Sequence, residues 1–156
     1  MNKEAIVVVL DAHSTMGNAF KDQTRFGLAV ESIKLLLQQK LLFSSPNHEF
    51  GMVMFGTAET SNHLADKHAG DYKNVVTNRA ISKIDQEFYR QLDTYTPEEE
   101  LTSGDFVDGM VVALDMLDKH CGHRKYKKRV FLITDGESQT KTNNEELQSL
   151  VQQAND

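Results

Sequence analysis

The 156-residue sequence has no tryptophan, two prolines and a single cysteine. Cys121 has no second cysteine for an internal disulfide, and together with His120 and His123 it supplies too few, too closely spaced ligands for a four-ligand zinc site. No apolar run approaches the roughly 20 residues that span a bilayer, and the start of the chain lacks a signal-peptide cleavage pattern. These absences predict a globular domain of a reducing compartment, without membrane anchoring or export.

The chain is also short of positive charge, with 17 Lys+Arg residues against 23 Asp+Glu and a net charge of -6. Because nucleic-acid binding depends on neutralising phosphates, this balance argues against a protein that holds nucleic acid over its whole surface. One stretch has the opposite sign and contains Arg124, Lys125, Lys127, Lys128 and Arg129. A solvated connection, whose cations complement the end of a helix, is the preferred interpretation, and a local DNA-facing basic patch is the alternative.

Apolar runs alternate with helical periodicity along the chain. Three continuous apolar runs are typical of strands covered on both faces, and they lie at residues 6–10, 50–55 and 130–134. A less apolar run at residues 72–77 predicts an edge strand antiparallel to the second strand. We therefore predict an α/β fold over residues 1–156, a single doubly wound, mostly parallel, Rossmann-like sheet with helices on both faces.

The predicted helices come from apolar residues at spacings of three and four. They cover residues 24–42, a segment built on Ile81, Ile84, Phe88 and Leu92, residues 107–117, and a final segment from Asn143 or Asn144 to Ala154. Asp22 and Thr24 are possible caps of the first helix, and Ser82 is placed near the start of the second. A Ser-Ser-Pro-Asn stretch at residues 44–47 is expected to break the chain after the first helix.

Two of the most apolar strands each end in a carboxylate, Asp11 and Asp135. Parallel sheets place their sites at the carboxyl ends of the strands, so these two acids are candidates for one site. Asp is also a favoured turn residue, and Asp135-Gly136 is an ordinary turn dipeptide. Two turn caps are thus the alternative to a shared site.

The residues around these acids resemble the metal-ion-dependent adhesion site of von Willebrand A-type domains. The acids and hydroxyl residues that carry the resemblance are Asp11, Ser14, Thr15, Thr102 or Ser103, and Asp135. The resemblance implies a hard cation such as Mg²⁺ held by oxygen ligands. However, His13 stands where that family has its first hydroxyl ligand, and an imidazole nitrogen is a poor ligand for Mg²⁺. We therefore expect a degenerate metal site at Asp11, His13, Thr15 and Asp135, with no bound metal and no cofactor.

Within this superfamily the sequence is similar to the N-terminal domains of the larger Ku heterodimer subunits. Residues 52–57, 70–75 and 104–114 resemble Ku segments in the same order, and Lys127-Lys128-Arg129 leads into the last strand as it does there. The resemblance implies a nuclear protein that pairs with the other Ku subunit, encircles broken DNA ends, and serves non-homologous end joining and telomere maintenance. The DNA-gripping ring would lie outside this chain, and this domain would dock short basic peptide motifs of repair factors.

The same resemblance nominates Leu64, Tyr72 and Asp105 as the peptide-docking residues. They would supply an apolar contact, an amphipathic ring and an anionic group that meets a basic peptide. Each has a simpler explanation. Shielding of an edge of the sheet would account for Leu64 and Tyr72, and a helix N-cap would account for Asp105.

The sequence lacks the motifs of the enzyme classes that this fold suggests. There is no Gly-Lys-Ser/Thr phosphate loop and no glycine fingerprint after the first strand. An aspartate-nucleophile phosphatase would need a second acid two residues after Asp11, where His13 stands. A Ser14, His13 and Asp135 triad would need two neighbouring side chains of one loop to align. We therefore predict a non-catalytic interaction domain, with an adhesion-type domain that binds an acidic protein ligand as the alternative and a phosphatase-like hydrolase third.

The resemblance also implies that the fold continues past the fourth long strand and its helix. On that expectation the chain is the N-terminal part of a longer protein, truncated within the domain. The last strand, residues 130–134, would then present an uncovered apolar edge. The isolated chain is expected to self-associate through it.

Overall fold

The computed structural model describes residues 3–43 and 47–155. The predicted chain break at residues 44–46 lies outside them. The helices and strands, in chain order, are β1 (Lys3–Asp11), β2 (Ala19–Phe20), β3 (Gln23–Thr24), α1 (Arg25–Phe43), β4 (Glu49–Phe55), α2 (His63–Lys67), β5 (Val75–Lys83), α3 (Gln86–Gln91), α4 (Phe106–Cys121), β6 (Tyr126–Ile133) and α5 (Asn144–Asn155). No helix within these ranges combines the length and apolarity needed to cross a bilayer.

Four strands form the main sheet in the order β5-β4-β1-β6. β1 pairs in parallel with β4 on one side and with β6 on the other, while β5 runs antiparallel to β4 at the edge. The predicted mostly parallel sheet, its central first strand and its antiparallel edge strand are thus confirmed. At the other edge β6 carries the half-exposed Phe131 and Leu132, and the self-association expected from that edge stays a prediction.

The side chains of β1 divide the core into two layers. Ile6, Val8 and Leu10 lie on one face in a cluster with α1 and α3, while Val7 and Val9 lie on the other with α4. All five are fully buried. A strand covered on both faces needs apolar residues at successive positions, which explains why the run is continuous rather than alternating. The predicted helices on both faces are confirmed.

The second predicted helix starts too early. Ile81 and Ser82 belong to β5, which begins at Val75 rather than at Tyr72 and continues to Lys83. α3 starts at Gln86, where the Asp85 carboxylate accepts from the Phe88 N–H at 2.7 Å. The helical spacing of the apolar residues was misleading, because Ile81 packs as a strand residue on the α4 side of the sheet.

Caps account for most of the helix boundaries. The Thr24 hydroxyl accepts from the Gly27 N–H, as expected, and the Asn143 side chain accepts from the Glu146 N–H ahead of α5. Two elements were missed: the short β2–β3 hairpin, and α2, whose N-cap is Asn62. Both lie in polar stretches without the apolar periodicity on which the sequence predictions depend.

Truncation of a buried side chain in β1 tests the two-layer core. Leu10→Ala should lower the free energy of unfolding by about 2–5 kcal/mol, because a fully buried leucine leaves a cavity when it is truncated. The matched control is Leu35→Ala on α1, whose side chain is 65% exposed and whose truncation should change stability by less than about 0.5 kcal/mol. Denaturant unfolding of both variants measures the difference, and equal losses would contradict the assigned core.

Candidate functional site

Asp11 ends β1 at the carboxyl edge of the sheet and is completely buried. Its Oδ1 atom accepts from the His13 backbone N–H at 2.9 Å and lies 2.7 Å from the His13 Nδ1 atom. Its Oδ2 atom accepts from the Thr134 hydroxyl at 2.6 Å, just beyond the end of β6. Both carboxylate oxygens therefore already have partners within the protein.

His13 fills the space between the ends of β1 and β4. Its ring packs edge-on against Phe55 with the centroids 5.6 Å apart, and it lies so close to Gly56 that a Cβ atom there would overlap the ring. The hydrogen bond to Asp11 is the main cause of a raised His13 pKa. The charge of Asp135 and a hydrogen bond to the Gly104 backbone act in the same direction. The geometry favours the imidazolium form beside the buried acid.

Asp135 is paired with a cation that the sequence analysis did not identify. Arg25, the first residue of α1, donates to Asp135 Oδ2 at 3.0 Å and to Glu137 Oε1 at 2.7 Å. Burial by itself would raise the pKa of Asp135, but the Glu137 N–H, the nearby Thr15 hydroxyl and Arg25 lower it. An arginine at the start of a helix carries no motif, so only the fold reveals this pairing.

The hydroxyl groups of the predicted metal site are arranged unevenly. The Thr102 hydroxyl donates to the Gly56 carbonyl oxygen, which ties the loop before α4 to the end of β4. Gly104 lies against the same point, since a Cβ atom there would come within 2.6 Å of the Gly56 nitrogen. The Thr15 Oγ1 atom is buried and lies near enough to Asp135 to lower the pKa of that acid, but the two side chains do not meet the geometry of a full hydrogen bond.

These contacts show that the residues do not fit a divalent cation as they stand. His13 lies at one acid, Arg25 lies at the other, and Thr102 is directed to a carbonyl group. Within residues 3–43 and 47–155, no group of three or more His, Cys, Asp or Glu side chains has the arrangement of a metal site. The structure brings together all four predicted residues of the degenerate site, with two cationic side chains at the acids.

A hydrolytic use of the same residues meets a geometric obstacle. The His13 Nδ1 atom faces Asp11, and the ring's other polar contact is the Gly104 backbone. This leaves no ring nitrogen to activate Ser14.

A groove opens beside this cluster, and we refer to it as the carboxyl-edge groove. It is lined by loops that precede β5 and α4, by the first turn of α4, and by α5. Its lining includes His13, Tyr72, Leu101, Asp105, Asp108 and Leu150. Two of the three residues nominated for peptide docking, Tyr72 and Asp105, therefore lie in one groove.

The third nominated residue lies beneath the surface. Leu64 on α2 is 8% exposed and packs in the cluster that includes Val75 and α4, with Tyr72 against its border. Leu101 was not singled out from the sequence, yet it is 90% exposed in the groove. An isolated leucine in a loop has no periodic pattern, which is why it was overlooked.

Asp105 has a structural role. Its Oδ1 atom accepts from the Val107 N–H at 3.0 Å and so caps α4. Its Oδ2 atom accepts from the Thr140 hydroxyl, the Lys141 N–H and the Thr142 hydroxyl. Burial opposes ionisation, but these hydrogen bonds together lower the pKa of Asp105. The carboxylate holds two loops together, as the N-cap alternative implied.

The groove is nonetheless negative. Burial, followed by the charges of Asp105 and Asp71, raises the pKa of Asp108. The pKa of Tyr72 is also raised, by burial and then by Asp108, Asp71 and Asp115. These shifts arise from burial in a space on which several carboxylates also act. Asp108, which the sequence analysis did not select, is the carboxylate whose charge acts most on Tyr72.

The five residues of the predicted basic patch lie at the opposite, amino end of the sheet. Arg124 is directed back to the carbonyl oxygens of His120 and Cys121 at the end of α4 and lies over the Tyr126 ring. Arg129 pairs with Glu4 at 3.3 Å. The other three, Lys125, Lys127 and Lys128, are exposed.

Comparison with known proteins relates the whole chain to one family. The model of the family described as "Ku70/Ku80 N-terminal alpha/beta domain" matches residues 5–156. A rice protein named ATP-dependent DNA helicase 2 subunit KU80 is 40% identical over 136 residues, which cover 87% of this chain and 18% of that protein. Its Arabidopsis thaliana counterpart of the same name is 38% identical over 144 residues, 90% of this chain and 19% of that protein.

Two further comparisons extend this result. A Dictyostelium discoideum protein named X-ray repair cross-complementing protein 5 is 34% identical over 138 residues, 85% of this chain and 17% of that protein. The chain thus spans about a fifth of the length of the curated relatives it matches. A mussel byssus protein, proximal thread matrix protein 1 with a zinc-occupied MIDAS motif, aligns with a TM-score of 0.65 over 98% of this chain and 36% of its own, at 17% identity. That likeness concerns the fold.

The close packing of His13 on Gly56 gives a test of this site. Gly56→Ala should cost about 1–3 kcal/mol more than Gly70→Ala, because both glycines have positive φ but only the new methyl group at position 56 overlaps a neighbour. Thermal or denaturant unfolding measures both. In a His13→Ser background the extra cost should shrink, since the ring is gone, and a cost that persists there would refute the packing argument.

Proposed function

The chain belongs to the Ku70/Ku80 N-terminal α/β domain family, and from this premise we propose that it is a non-catalytic protein-interaction domain of a Ku80-type subunit. The subunit would pair with the other Ku subunit in a heterodimer that binds DNA ends. Its work would be double-strand break repair by non-homologous end joining, and telomere maintenance, in the nucleus. The observation that carries the proposal is the family match over residues 5–156, supported by relatives at 34–40% identity.

Within that role, the carboxyl-edge groove is the proposed docking place for short basic peptides of repair factors. Tyr72 is partly exposed and offers a ring with a polar tip, and Leu101 offers an apolar contact in the same groove. The carboxylates of Asp71 and Asp108 supply the negative field that a basic peptide would complement. Leu64 and Asp105 would act indirectly, since Leu64 belongs to the buried cluster against which Tyr72 packs and Asp105 holds the loops in place.

The absence of catalysis is part of the proposal. The carboxyl edge of the sheet, where α/β enzymes keep their reactive groups, is occupied here by internally paired side chains. The adhesion-type alternative would need a cation at this edge, and the hydrolase alternative would need an accessible base. A phosphate-ester substrate turned over by the purified chain would favour the hydrolase and contradict the proposal.

The whole-protein role is tested by affinity capture. The tagged chain is incubated with nuclear extract of a plant or of Dictyostelium discoideum, and the bound proteins are identified by mass spectrometry. End-joining factors, and the other Ku subunit where its contact lies within this domain, are the expected partners. The proposal would be contradicted if the parent chain captured neither. It would also be contradicted if Leu10→Ala, unfolded before the incubation, captured the same proteins in equal amounts.

Tyr72→Ala should weaken binding of labelled basic peptides from end-joining factors by about 30-fold, which corresponds to about 2 kcal/mol for loss of an aromatic anchor. The matched control is Tyr89→Ala on α3, which lies on the other face of the sheet against α1 and should leave affinity unchanged. Fluorescence anisotropy measures both dissociation constants. Equal affinities for the parent and Tyr72→Ala would remove Tyr72 from the docking site.

The degenerate metal site is tested by calorimetric titration with Mg²⁺ and Mn²⁺. The parent should show no sub-millimolar binding, because His13 and Arg25 already neutralise the two acids. The double variant His13→Ser with Arg25→Gln should gain measurable binding, because it frees carboxylate oxygens and adds a hydroxyl group. Sub-millimolar binding by the parent that disappears in Asp11→Ala would instead favour the adhesion-type alternative.

A further inference from the structure

The amino end of the sheet carries an uneven share of the positive charge. Six Lys+Arg residues and no Asp or Glu lie at residues 119–129, while the rest of the chain holds 11 of the 17 basic residues and all 23 acidic ones. Such a charge asymmetry within an acidic chain is a recognised indication of a polyanion-binding surface. Only some of these cations are available to a partner.

Internal contacts remove half of them. Lys119 pairs with Asp115 one helical turn away, Arg124 is directed to the carbonyl groups at the end of α4, and Arg129 pairs with the buried Glu4. Lys125, Lys127 and Lys128 are exposed, and within the part of the chain that the structure describes none of them has a carboxylate partner. We call these three residues the basic strip.

Two carboxylates of the neighbouring strands, Glu4 and Glu49, are already neutralised. Glu4 contacts Lys40 at 2.5 Å as well as Arg129. Glu49 contacts Lys3, His120 and Tyr126. Burial alone would raise the pKa of Glu49, but these hydrogen bonds lower it to about 2. The local acids therefore have their own cations, which leaves the field of the basic strip uncompensated.

The three lysines act as one site. They lie within three residues of one another at the start of β6, which an extended strand covers in about 10 Å. This span is comparable to the Debye length at physiological salt, so one polyanion segment senses all three charges together. Alternation along the strand directs Lys127 and Lys128 to opposite faces. The ammonium groups therefore flank the strand rather than converge on a point.

We infer that the basic strip binds the phosphate backbone of nucleic acid without reading its sequence. This inference rests on the proposed function, because it gives the domain a direct contact with the DNA that the heterodimer would hold. Lysines act as point charges that suit phosphates in a row. Arg124 and Arg129, whose planar groups suit two-pronged pairing with carboxylate or phosphate, are already engaged by groups of the chain itself, the His120 carbonyl and Glu4. The strip and the carboxyl-edge groove lie at opposite ends of the sheet, so DNA and a basic peptide would not compete.

The test is binding of a short fluorescent duplex to the 156-residue chain over a range of salt concentrations. Three phosphate contacts predict a slope of about -2.7 for the logarithm of the association constant against that of salt, or about a 40-fold loss between about 50 and 200 mM. The variant with Lys125, Lys127 and Lys128 all changed to Gln should lose most of this affinity and flatten the slope. The same three positions changed to Arg should retain both.

The matched control changes Lys21, Lys67 and Lys83 to Gln, which removes the same charge from exposed positions elsewhere. It should keep the parent's slope, and unchanged thermal midpoints would show that all variants fold. Equal losses in the control and the strip variant would overturn the inference, because net charge alone would then explain binding. Parent binding to phosphatidylserine vesicles or to polyglutamate as tight as to the duplex would overturn the assignment to nucleic acid.

The strip variant also separates this inference from the proposed function. It should capture repair factors and bind basic peptides as the parent does, because Tyr72 and the groove are untouched. Failure of peptide binding with intact, strip-dependent DNA binding would refute the docking role and leave the strip standing. Peptide binding without any strip-dependent DNA binding would do the reverse.

Discussion

β1 lies between two parallel neighbours, and its side chains are buried against helices on both faces, so most of the molecule is arranged around it. This double burial requires an apolar run that ends abruptly where the strand emerges. The residue at that point, Asp11, is consequently a buried acid at the carboxyl edge of the sheet. Because a buried carboxylate must be paired, the loops that follow β1, β4 and β6 are all drawn to it or to its neighbours.

The pairing that results distinguishes this edge from a metal-binding one. A divalent cation at such an edge would neutralise two acids and hold the surrounding hydroxyl groups in place. Here an imidazole and a guanidinium group lie at the acids, and a backbone carbonyl receives the threonine hydroxyl. The cations are part of the chain, so the loops are held by groups that do not dissociate. Such an edge is held in place by the side chains of the protein itself.

The two ends of the sheet have opposite electrostatic character. Carboxylates dominate the groove at the carboxyl edge, where burial and then the carboxylate charges raise the pKa values of Tyr72 and Asp108. At the amino edge the buried acids Glu4 and Glu49 are matched by nearby bases, and additional lysines remain at the surface. A net charge of -6 therefore describes neither end of the domain. Partners of opposite charge would meet it from opposite sides.

Much of this was determined by the sequence alone: the strand and helix layers, the central position of β1, the antiparallel edge strand, and the approach of Asp11, His13, Thr15 and Asp135 to one place. These features follow from local patterns, since apolar periodicity specifies buried faces and parallel strands share an edge. The start of α3 was mistaken because Ile81 suits both a helical and a strand period.

Only the tertiary structure decided which partner each charge takes. Arg25 lies 110 positions before Asp135 in the sequence, and Glu4, near the start of the sequence, pairs with Arg129. It also showed that Leu64 is buried, that Asp105 is engaged as a cap, and that Leu101 and Asp108 line the groove. Ion pairs and surface exposure depend on residues far apart in sequence, and no local period encodes them, so they become defined only when the sheet brings its strand ends together.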